Sequence, residues 1–316
     1  MQIITITPNP AIDISTSIGK LVPFTKMRCA TARRDPGGGG INVARVINRL
    51  GGRVSAIYPA GGSSGDLLRR LLDREGVLSI AVGAAEETRE DFTVFEESTS
   101  QQYRFVMPGG PLSEREWNAC LNELANFDPP PNFVVASGSL PPGVPEDFYS
   151  RVARAAKQRG AKVLLDAAGP ALQQALTEGV YLIKPNLREF CDVTGARRSD
   201  EEGLIEAGRD LIANERVNII ALTLGPRGAM LITRDRVLRA EALPIKMASV
   251  VGAGDSFLGA IIWSLARGDD LRTALSFGVA GGSAALLSPG TDLCRPEDVQ
   301  RLMPEVMVRP VKLGVG

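Results

Sequence analysis

The alternation of short β-branched runs with stretches of helical periodicity constrains this chain more than any other feature. Ile3–Thr7 reads as a strand and ends at Pro8-Asn9-Pro10. Ile41–Leu50 has helical spacing and halts at Gly51-Gly52, a C-terminal stop signal. Val54–Tyr58 is a strand and Asp66–Glu75 a helix. Further strands fall at Phe133–Ser137, Val163–Asp166, Tyr181–Lys184 and Ile219–Thr223. Helical patterns over Pro145–Arg159, Pro170–Thr177, Leu187–Val193 and Asp200–Asn214 separate them. After Thr223 come Met230–Thr233, a helix from Gly254 to Ala266, and Leu271–Leu287. Such alternation predicts an α/β fold with a mostly parallel sheet covered on both faces, because each crossover helix must lie over the sheet. With 316 residues, 44% of them hydrophobic, residues 1–316 can form one large domain around a single core.

Two segments break the pattern. Residues 12–34 and 88–106 carry β-like runs, Asp91–Glu96 and Gln102–Phe105 among them, with no helix between. They predict a small inserted β-sheet. It can serve as a lid that excludes water, as a structural flap or as a dimer contact, and one sheet can combine these roles.

Composition narrows the chemistry. Lys plus Arg and Asp plus Glu both number 36, so the formal net charge is zero. A balanced chain attracts neither nucleic acid nor an anionic membrane as a whole, and any anion binding must be local. The chain has no His. That excludes Ser-His and Cys-His nucleophilic sites and His-ligated zinc, and leaves proton transfer to Asp, Glu, Lys, Tyr or Cys. Cys29, Cys120, Cys191 and Cys294 form no CxxC motif. MQIITITPNP reads as a strand rather than a signal peptide, so the cysteines are expected to be free thiols in a reducing cytoplasm. The longest apolar runs, Ile219–Leu224 and Phe257–Ala266, fall well short of the roughly 20 residues a spanning helix needs.

Four motifs carry chemistry. Gly252-Ala253-Gly254-Asp255-Ser256 precedes the apolar run Phe257–Ala266. Glycines that open a helix leave backbone N–H groups bare, and the helix dipole adds positive charge there, which suits a transferring phosphoryl group. Asp255, in the first turn, can accept a proton from an attacking hydroxyl. Asp255 or Ser256 can also be a plain helix cap. The second motif, Pro36-Gly37-Gly38-Gly39-Gly40-Ile41-Asn42-Val43-Ala44, spends four consecutive glycines at another helix start. Close approach of a ligand explains them, and a flexible hinge is the alternative. No Gly-Lys-Ser/Thr follows, so this is not a Walker A loop. The third, Lys184-Pro185-Asn186-Leu187-Arg188-Glu189, closes a buried strand at the edge where α/β sheets bind ligands. A Lys, an amide and a carboxylate there can serve ATP phosphates and hydrated Mg²⁺, while Asn186 with Glu189 also fits a capping box. The fourth, Thr223-Leu224-Gly225-Pro226-Arg227-Gly228, is a strand followed by a tight turn. Lys26, Arg28, Arg89 and Arg104 fall in the inserted segments. There they can clamp a substrate phosphate or be merely solvated.

Together these motifs resemble the PfkB/ribokinase family of carbohydrate kinases. The likeness runs from Thr5 to about Leu302 and includes two signature segments, GGGGINVAR (37–45) and VVGAGDSFLG. Within the family the chain is most similar to the minor, PfkB-type 6-phosphofructokinases, through FTKMR (24–28), QYRFVMPG (102–109), SGSLPPGV (137–144) and KPNLREF (184–190). Gly39 stands where 1-phosphofructokinases and tagatose-6-phosphate kinases commonly carry Lys, whereas TPNPAID (7–13) looks more like the 1-phosphofructokinase pattern. The resemblance implies a ribokinase-like three-layer sandwich with the small sheet as a lid, often paired into a homodimer. It implies ATP-dependent phosphorylation of fructose 6-phosphate. Fructose 1-phosphate or tagatose 6-phosphate is the alternative substrate, and a non-catalytic sugar-phosphate sensor the alternative class. It assigns Asp255 as base, Gly252, Ala253 and Gly254 as the anion hole, and Asp13 with Gly38, Gly39 and Asn42 to sugar hydroxyls. Arg89, Lys26, Arg28 and Ser139 take the sugar phosphate or neighbouring ATP phosphates. Lys184, Asn186, Glu189, Thr223, Gly225 and Gly228 face ATP and, through Glu189, Mg²⁺. Ser249, Val251, Ala285, Ser288, Gly290 and Asp292 match a K⁺ site built mostly from backbone carbonyls.

Overall fold

The computed structural model describes residues 1–197 and 201–311. In chain order its elements begin with β1 (Ile3–Ile6), β2 (Ala11–Ile18), β3 (Arg33–Gly37), α1 (Gly39–Arg49), β4 (Val54–Ala60), α2 (Gly62–Arg74) and β5 (Leu78–Gly83). Then come β6 (Arg89–Glu96), β7 (Gln101–Phe105), α3 (Glu114–Asn126), β8 (Phe133–Ser137), α4 (Phe148–Gln158), β9 (Lys162–Asp166), α5 (Gly169–Thr177), β10 (Val180–Ile183) and α6 (Leu187–Thr194). The rest are α7 (Glu201–Ala213), β11 (Val217–Thr223), β12 (Ala229–Ile232), β13 (Val237–Ala240), α8 (Ala253–Arg267), α9 (Leu271–Leu286), α10 (Pro296–Leu302) and β14 (Val308–Pro310). Asp200, the expected first residue of α7, lies outside the described residues.

Ten strands form the large sheet in the order β14-β13-β12-β11-β10-β9-β8-β1-β4-β5. From β11 to β5 all neighbours run parallel, and β12, β13 and β14 add an antiparallel edge. Burial on both faces explains the near-continuous apolar strands. Along β1, Ile3 joins one apolar cluster while Ile4 and Ile6 join the other, and Val134 and Val135 in β8 split the same way. Consecutive side chains point to opposite faces, so each parallel strand feeds two helix layers at once. α1, α8 and α9 supply one cluster, and α3, α4 and α7 the other.

The second sheet has four strands in the order β3-β2-β6-β7. Its central pair, β2 and β6, is parallel, and its outer pairs are antiparallel. The inserted segments form this sheet, with irregular chain between Gly19 and Ala32. Four strands escape the pattern reading, β13 within the large sheet among them. β3 has the sequence RRDPG, charged and with a Pro tolerated only on an edge. β5 is only partly buried, as an edge strand of the large sheet, and β14 is short and mostly exposed.

One close packing joins the two helices that reach the strand ends. A Cβ on Gly259 of α8 would lie 2.6 Å from Val46 Cγ1 of α1, so only glycine lets these helices touch. Both helices begin at the carboxyl ends of the parallel strands. β1 pairs with β4 on one side and β8 on the other, so the chain changes winding direction there, which is where open α/β sheets bind ligands.

Candidate active site

Helix α8 starts at Ala253 because Gly252 takes the left-handed conformation, with φ 75°, and turns the chain abruptly into it. No side chain caps that end, so its first N–H groups remain available. Asp255 sits in the first turn, and its Oδ2 accepts from Asn42 Nδ2 at 2.9 Å. Lys184, buried at the end of β10, pairs with Asp166 at the end of β9, Nζ to Oδ1 3.1 Å. A Cβ on Gly254 would lie 3.4 Å from Lys184 Nζ, so the ammonium stands beside the helix start. A cavity of ≈ 980 Å³ opens over these strand ends, and Gly38, Gly39, Asn42, Ser139, Glu189 and Asp255 are among its walls.

Burial pushes the Asp255 carboxyl up to about 6; the Asp166 charge adds to this, and Asn42, Lys184 and Arg104 oppose it. Burial alone would lower Lys184, but Asp166 and Asp255 outweigh it and hold the ammonium above its ordinary value. If Asp255 must be ionised to accept a proton, kcat falls about tenfold per pH unit below about pH 6 and levels off above it. A kcat–pH profile at saturating substrate checks this, and a flat profile down to pH 5 contradicts it.

The small sheet stands against the same cavity. Its register aligns Asp35, Asp13 and Asp91 across β3, β2 and β6. The outer two are compensated. Asp35 accepts from Arg33 Nε at 2.9 Å and from Thr291 Oγ1 at 2.9 Å, and Asp91 pairs with Arg89 Nη1 at 2.9 Å and accepts from Met107 N. Among the described residues no hydrogen bond reaches the Asp13 carboxylate, which is only 3% exposed. Burial raises it to about 6, Arg104 pulls it down, and Asp91 pushes it up. A Cβ on Gly37 would lie 2.6 Å from Asp13 Cγ, and one on Gly39 would lie 2.3 Å from Ser137 Oγ. Close packing at the strand ends therefore accounts for part of the glycine run, and Gly38 and Gly39 also face the cavity.

The cations separate. Arg89 lines the cavity, but Asp91 and the carbonyls of Met107 and Asn9 already engage its guanidinium. Arg104 also lines the cavity and is exposed, and among the described residues its guanidinium makes no hydrogen bond or ion pair. Lys26 and Arg28 are exposed in the connection between β2 and β3, outside the cavity walls. Ser139 Oγ accepts from Asn9 Nδ2 at 3.1 Å.

At the other end, both bonds of the capping box form. Asn186 N donates to Glu189 Oε2 at 2.8 Å and Glu189 N to Asn186 Oδ1 at 2.9 Å. Glu189 also faces the cavity, so the capping and ligand readings coexist. Thr223 N donates to Pro185 O, which sets the Gly225–Arg227 turn and Gly228 beside this segment but outside the cavity walls. Ser249 Oγ donates to Gly290 O at 2.6 Å, tying together the two loops that flank the start of α8, and within the second loop Ser288 Oγ donates to Leu293 O at 3.3 Å. Val251 belongs to the first loop, and Ala285 O accepts from Ser288 N at the end of α9. The Asp292 carboxylate is occupied by Arg33, Arg49 and Arg295, which leaves its backbone for any cation. Among the described residues no cluster of three acidic or cysteine side chains could hold a metal.

Sequence reading overlooked Asp166 and placed Arg104 only among four cations able to clamp a substrate phosphate. An acid ending the buried run VLLD, just before a turn, was the available signal for Asp166.

A helix start that attracts anions, beside a carboxylate able to take a proton from a hydroxyl, is the chemistry of phosphoryl transfer to an alcohol. The profile of the pfkB family of carbohydrate kinases matches residues 6–298, and the chain belongs to that family. It is 44% identical over 99% of its length to the ATP-dependent 6-phosphofructokinase isozyme 2 of Mycobacterium tuberculosis, of which 92% is covered. Phosphofructokinase-2 from Escherichia coli in complex with fructose-6-phosphate superposes with a TM-score of 0.91 at 36% identity, over 96% of this chain and 98% of that one. The same enzyme in complex with potassium superposes at 0.92 and 37%, with 96% and 98% covered. A 1-phosphofructokinase of Xanthomonas campestris is 31% identical over 96% of this chain and 95% of its own. Among the described residues no helix is long and apolar enough to cross a membrane, and none of the four cysteines forms a disulfide.

Proposed function

We propose that the chain transfers the γ-phosphate of ATP to the 1-hydroxyl of fructose 6-phosphate, giving ADP and fructose 1,6-bisphosphate. The observation that carries this is Asp255, held by Asn42 at the bare start of α8 and facing the cavity. Asp255 takes the hydroxyl proton as the sugar oxygen bonds to the γ-phosphorus and the bond to the bridging oxygen of ADP breaks. The N–H groups of Gly252, Ala253 and Gly254 stabilise the charge that develops on the phosphoryl oxygens, and Lys184 lies beside them. Asp13, lacking a protein partner, binds a sugar hydroxyl, and Arg104 joins Arg89 at the sugar phosphate. Lys26 and Arg28 stand outside the cavity walls of their own chain, so in one chain they do not share that role. The small sheet acts as the lid. Exposed apolar residues on its strands and connection, Phe24, Phe92 and Phe105, support its pairing into a homodimer.

Glu189 and the carbonyls around Ser249 suit the two metals that family membership suggests. One Glu189 oxygen caps α6, which leaves the other for hydrated Mg²⁺, and backbone oxygens suit K⁺ better than a carboxylate cluster would. Bound Mg²⁺ would neutralise phosphate charge. Glu189→Gln is therefore expected to raise the Mg²⁺ concentration needed for half-maximal rate severalfold, with kcat little changed at saturating Mg²⁺. A wild-type Mg²⁺ dependence would leave Glu189 as a cap alone.

Identity to 6-phosphofructokinases of 44% and 36%, against 31% for a 1-phosphofructokinase, favours fructose 6-phosphate over fructose 1-phosphate despite the Thr7–Asp13 pattern. A sensor without turnover has no need of a buried carboxylate raised into the range of a base. The test is kcat/KM for fructose 6-phosphate, fructose 1-phosphate, tagatose 6-phosphate and fructose in an ADP-release assay. Fructose 6-phosphate should lead. Equal rates with fructose would reject a phosphosugar substrate.

A further inference from the structure

Arg45 is among the largest fully buried side chains of the protein, with 0% exposure. A buried guanidinium is tolerated only when its donors are spoken for. Nε donates to both oxygens of Glu75 at 3.1 and 2.9 Å, and Nη2 donates to Glu75 Oε1 at 2.6 Å. Nη1 donates to Pro36 O at 2.8 Å and to Asn42 Oδ1 at 3.3 Å, and Asp35 lies 3.8 Å from Nη2. The Glu75 pair and the Pro36 carbonyl satisfy most of the burial requirement. The contact with Asn42 does something different.

A carboxamide has a donor end and an acceptor end, whereas a guanidinium only donates. Arg45 therefore claims the oxygen of Asn42 and leaves its NH₂ group to face Asp255. The turned-over amide would set donor against donor at Arg45 and oxygen against carboxylate at Asp255. Helical spacing makes the arrangement possible, since residues 42 and 45 of α1 are one turn apart. We propose that Arg45 is a positioning residue for phosphoryl transfer, locking the Asn42 amide so that its N–H group points at Asp255. The same Nη1 holds the Pro36 carbonyl of β3, so an edge strand of the small sheet and the base share one anchor. Glu75, held below the usual carboxylate range by Arg45 despite its burial, keeps the guanidinium in place.

The inference rests on Asp255 being the base. Asp255 is faced by Asn42 from α1, Asp166 from the end of β9, Lys184 from the end of β10 and Arg104 from β7. Of these, Asn42 alone is oriented by Arg45, so an effect of Arg45 passing through Asn42 is separable. The experiment compares kcat–pH profiles, at saturating fructose 6-phosphate and MgATP, of wild type, Arg45→Lys, Asn42→Ala and the double variant. Ionisations of the substrates are common to all four and cancel in the comparison. Losing a hydrogen bond to the charged base raises the acid limb, by about one pH unit for one such bond. Arg45→Lys keeps the buried charge beside Glu75 but gives up the fork that reaches Asn42, so it is expected to move the limb up by about half a pH unit or more. Asn42→Ala is expected to move it by about one, and the double variant no further than Asn42→Ala. A limb that stays put in Arg45→Lys while the melting temperature falls, or displacements that simply add in the double variant, would overturn the proposal.

The wild-type protein offers a reading that needs no variant. The Asn42 side-chain amide protons should exchange slowly with solvent, and their NMR resonances should follow the Asp255 titration. Fast exchange and no titration would also overturn it. If Asp255→Asn keeps full turnover, the choice of base fails. If Asp255→Asn is inactive and the limbs coincide, only the role of Arg45 fails.

Discussion

Replacing Asp255 with Asn is expected to leave the fold and ATP binding intact while kcat falls by about 10²-fold or more, the usual size of a general-base effect. The substitution keeps the shape of the side chain and its place in the first turn of α8. It removes the ability to accept a proton from the sugar hydroxyl. It also removes a carboxylate that burial has raised to about 6, so thermal stability at neutral pH should not fall. Stopped-flow or steady-state kinetics with a binding measurement for MgATP separate the two effects. A variant that turns over at near the wild-type rate would mean that another group takes the proton.

Asp13→Asn is expected to move activity and stability in opposite directions. Asp13 lies between two compensated carboxylates, has no protein hydrogen bond of its own among the described residues, and is raised from 3.8 to about 6. In the folded state the carboxyl holds its proton more tightly than in the unfolded state. Each tenfold gain in proton affinity on folding is worth about 1.4 kcal/mol, so ionisation costs the native protein about 3 kcal/mol. Below about pH 4 both states are protonated and the penalty vanishes. It grows as the pH rises and is complete above about pH 6. Asn carries no such penalty, so the variant should melt higher than wild type at pH 7.5 and close to it at pH 4. Its kcat/KM for the sugar phosphate should meanwhile drop by about 10- to 10²-fold, the loss of one charge-assisted hydrogen bond to a hydroxyl. Equal melting temperatures at pH 7.5, with catalysis unimpaired, would show that Asp13 is neither strained nor in contact with substrate.

Much of the fold was legible because parallel strands buried on both faces announce themselves as apolar runs. Ile3–Thr7, Phe133–Ser137 and Ile219–Thr223 correspond to β1, β8 and β11 within a residue or two. β3 was not legible. Its RRDPG has no apolar pattern, and two of its charged side chains, Asp35 and Arg33, find partners in Thr291 and Asp292, more than 250 positions away in the chain. At the site, glycines opening a helix pointed to α1 and α8, and the bond between Asn42 and Asp255 joins those two helices. The spacing of neither motif could reveal that Arg45 orients Asn42, because the reason lies in Glu75 at the far end of α2. Likewise Arg89 and Arg104 are indistinguishable as letters. Both line the cavity, but the folded chain engages Arg89 with Asp91, two residues along β6, and leaves Arg104 of β7 with no hydrogen bond or ion pair among the described residues.

The most direct measurement is a ³¹P NMR time course of the protein with MgATP and fructose 6-phosphate, repeated with Asp255→Asn. Wild type should consume the γ-phosphate resonance of ATP while a second sugar phosphate resonance, that of the 1-phosphate of fructose 1,6-bisphosphate, grows in equal amount. The variant should leave both reactants unchanged over the same period. Release of inorganic phosphate in place of the bisphosphate, or formation of the bisphosphate by Asp255→Asn at the wild-type rate, would contradict phosphoryl transfer with Asp255 as its base.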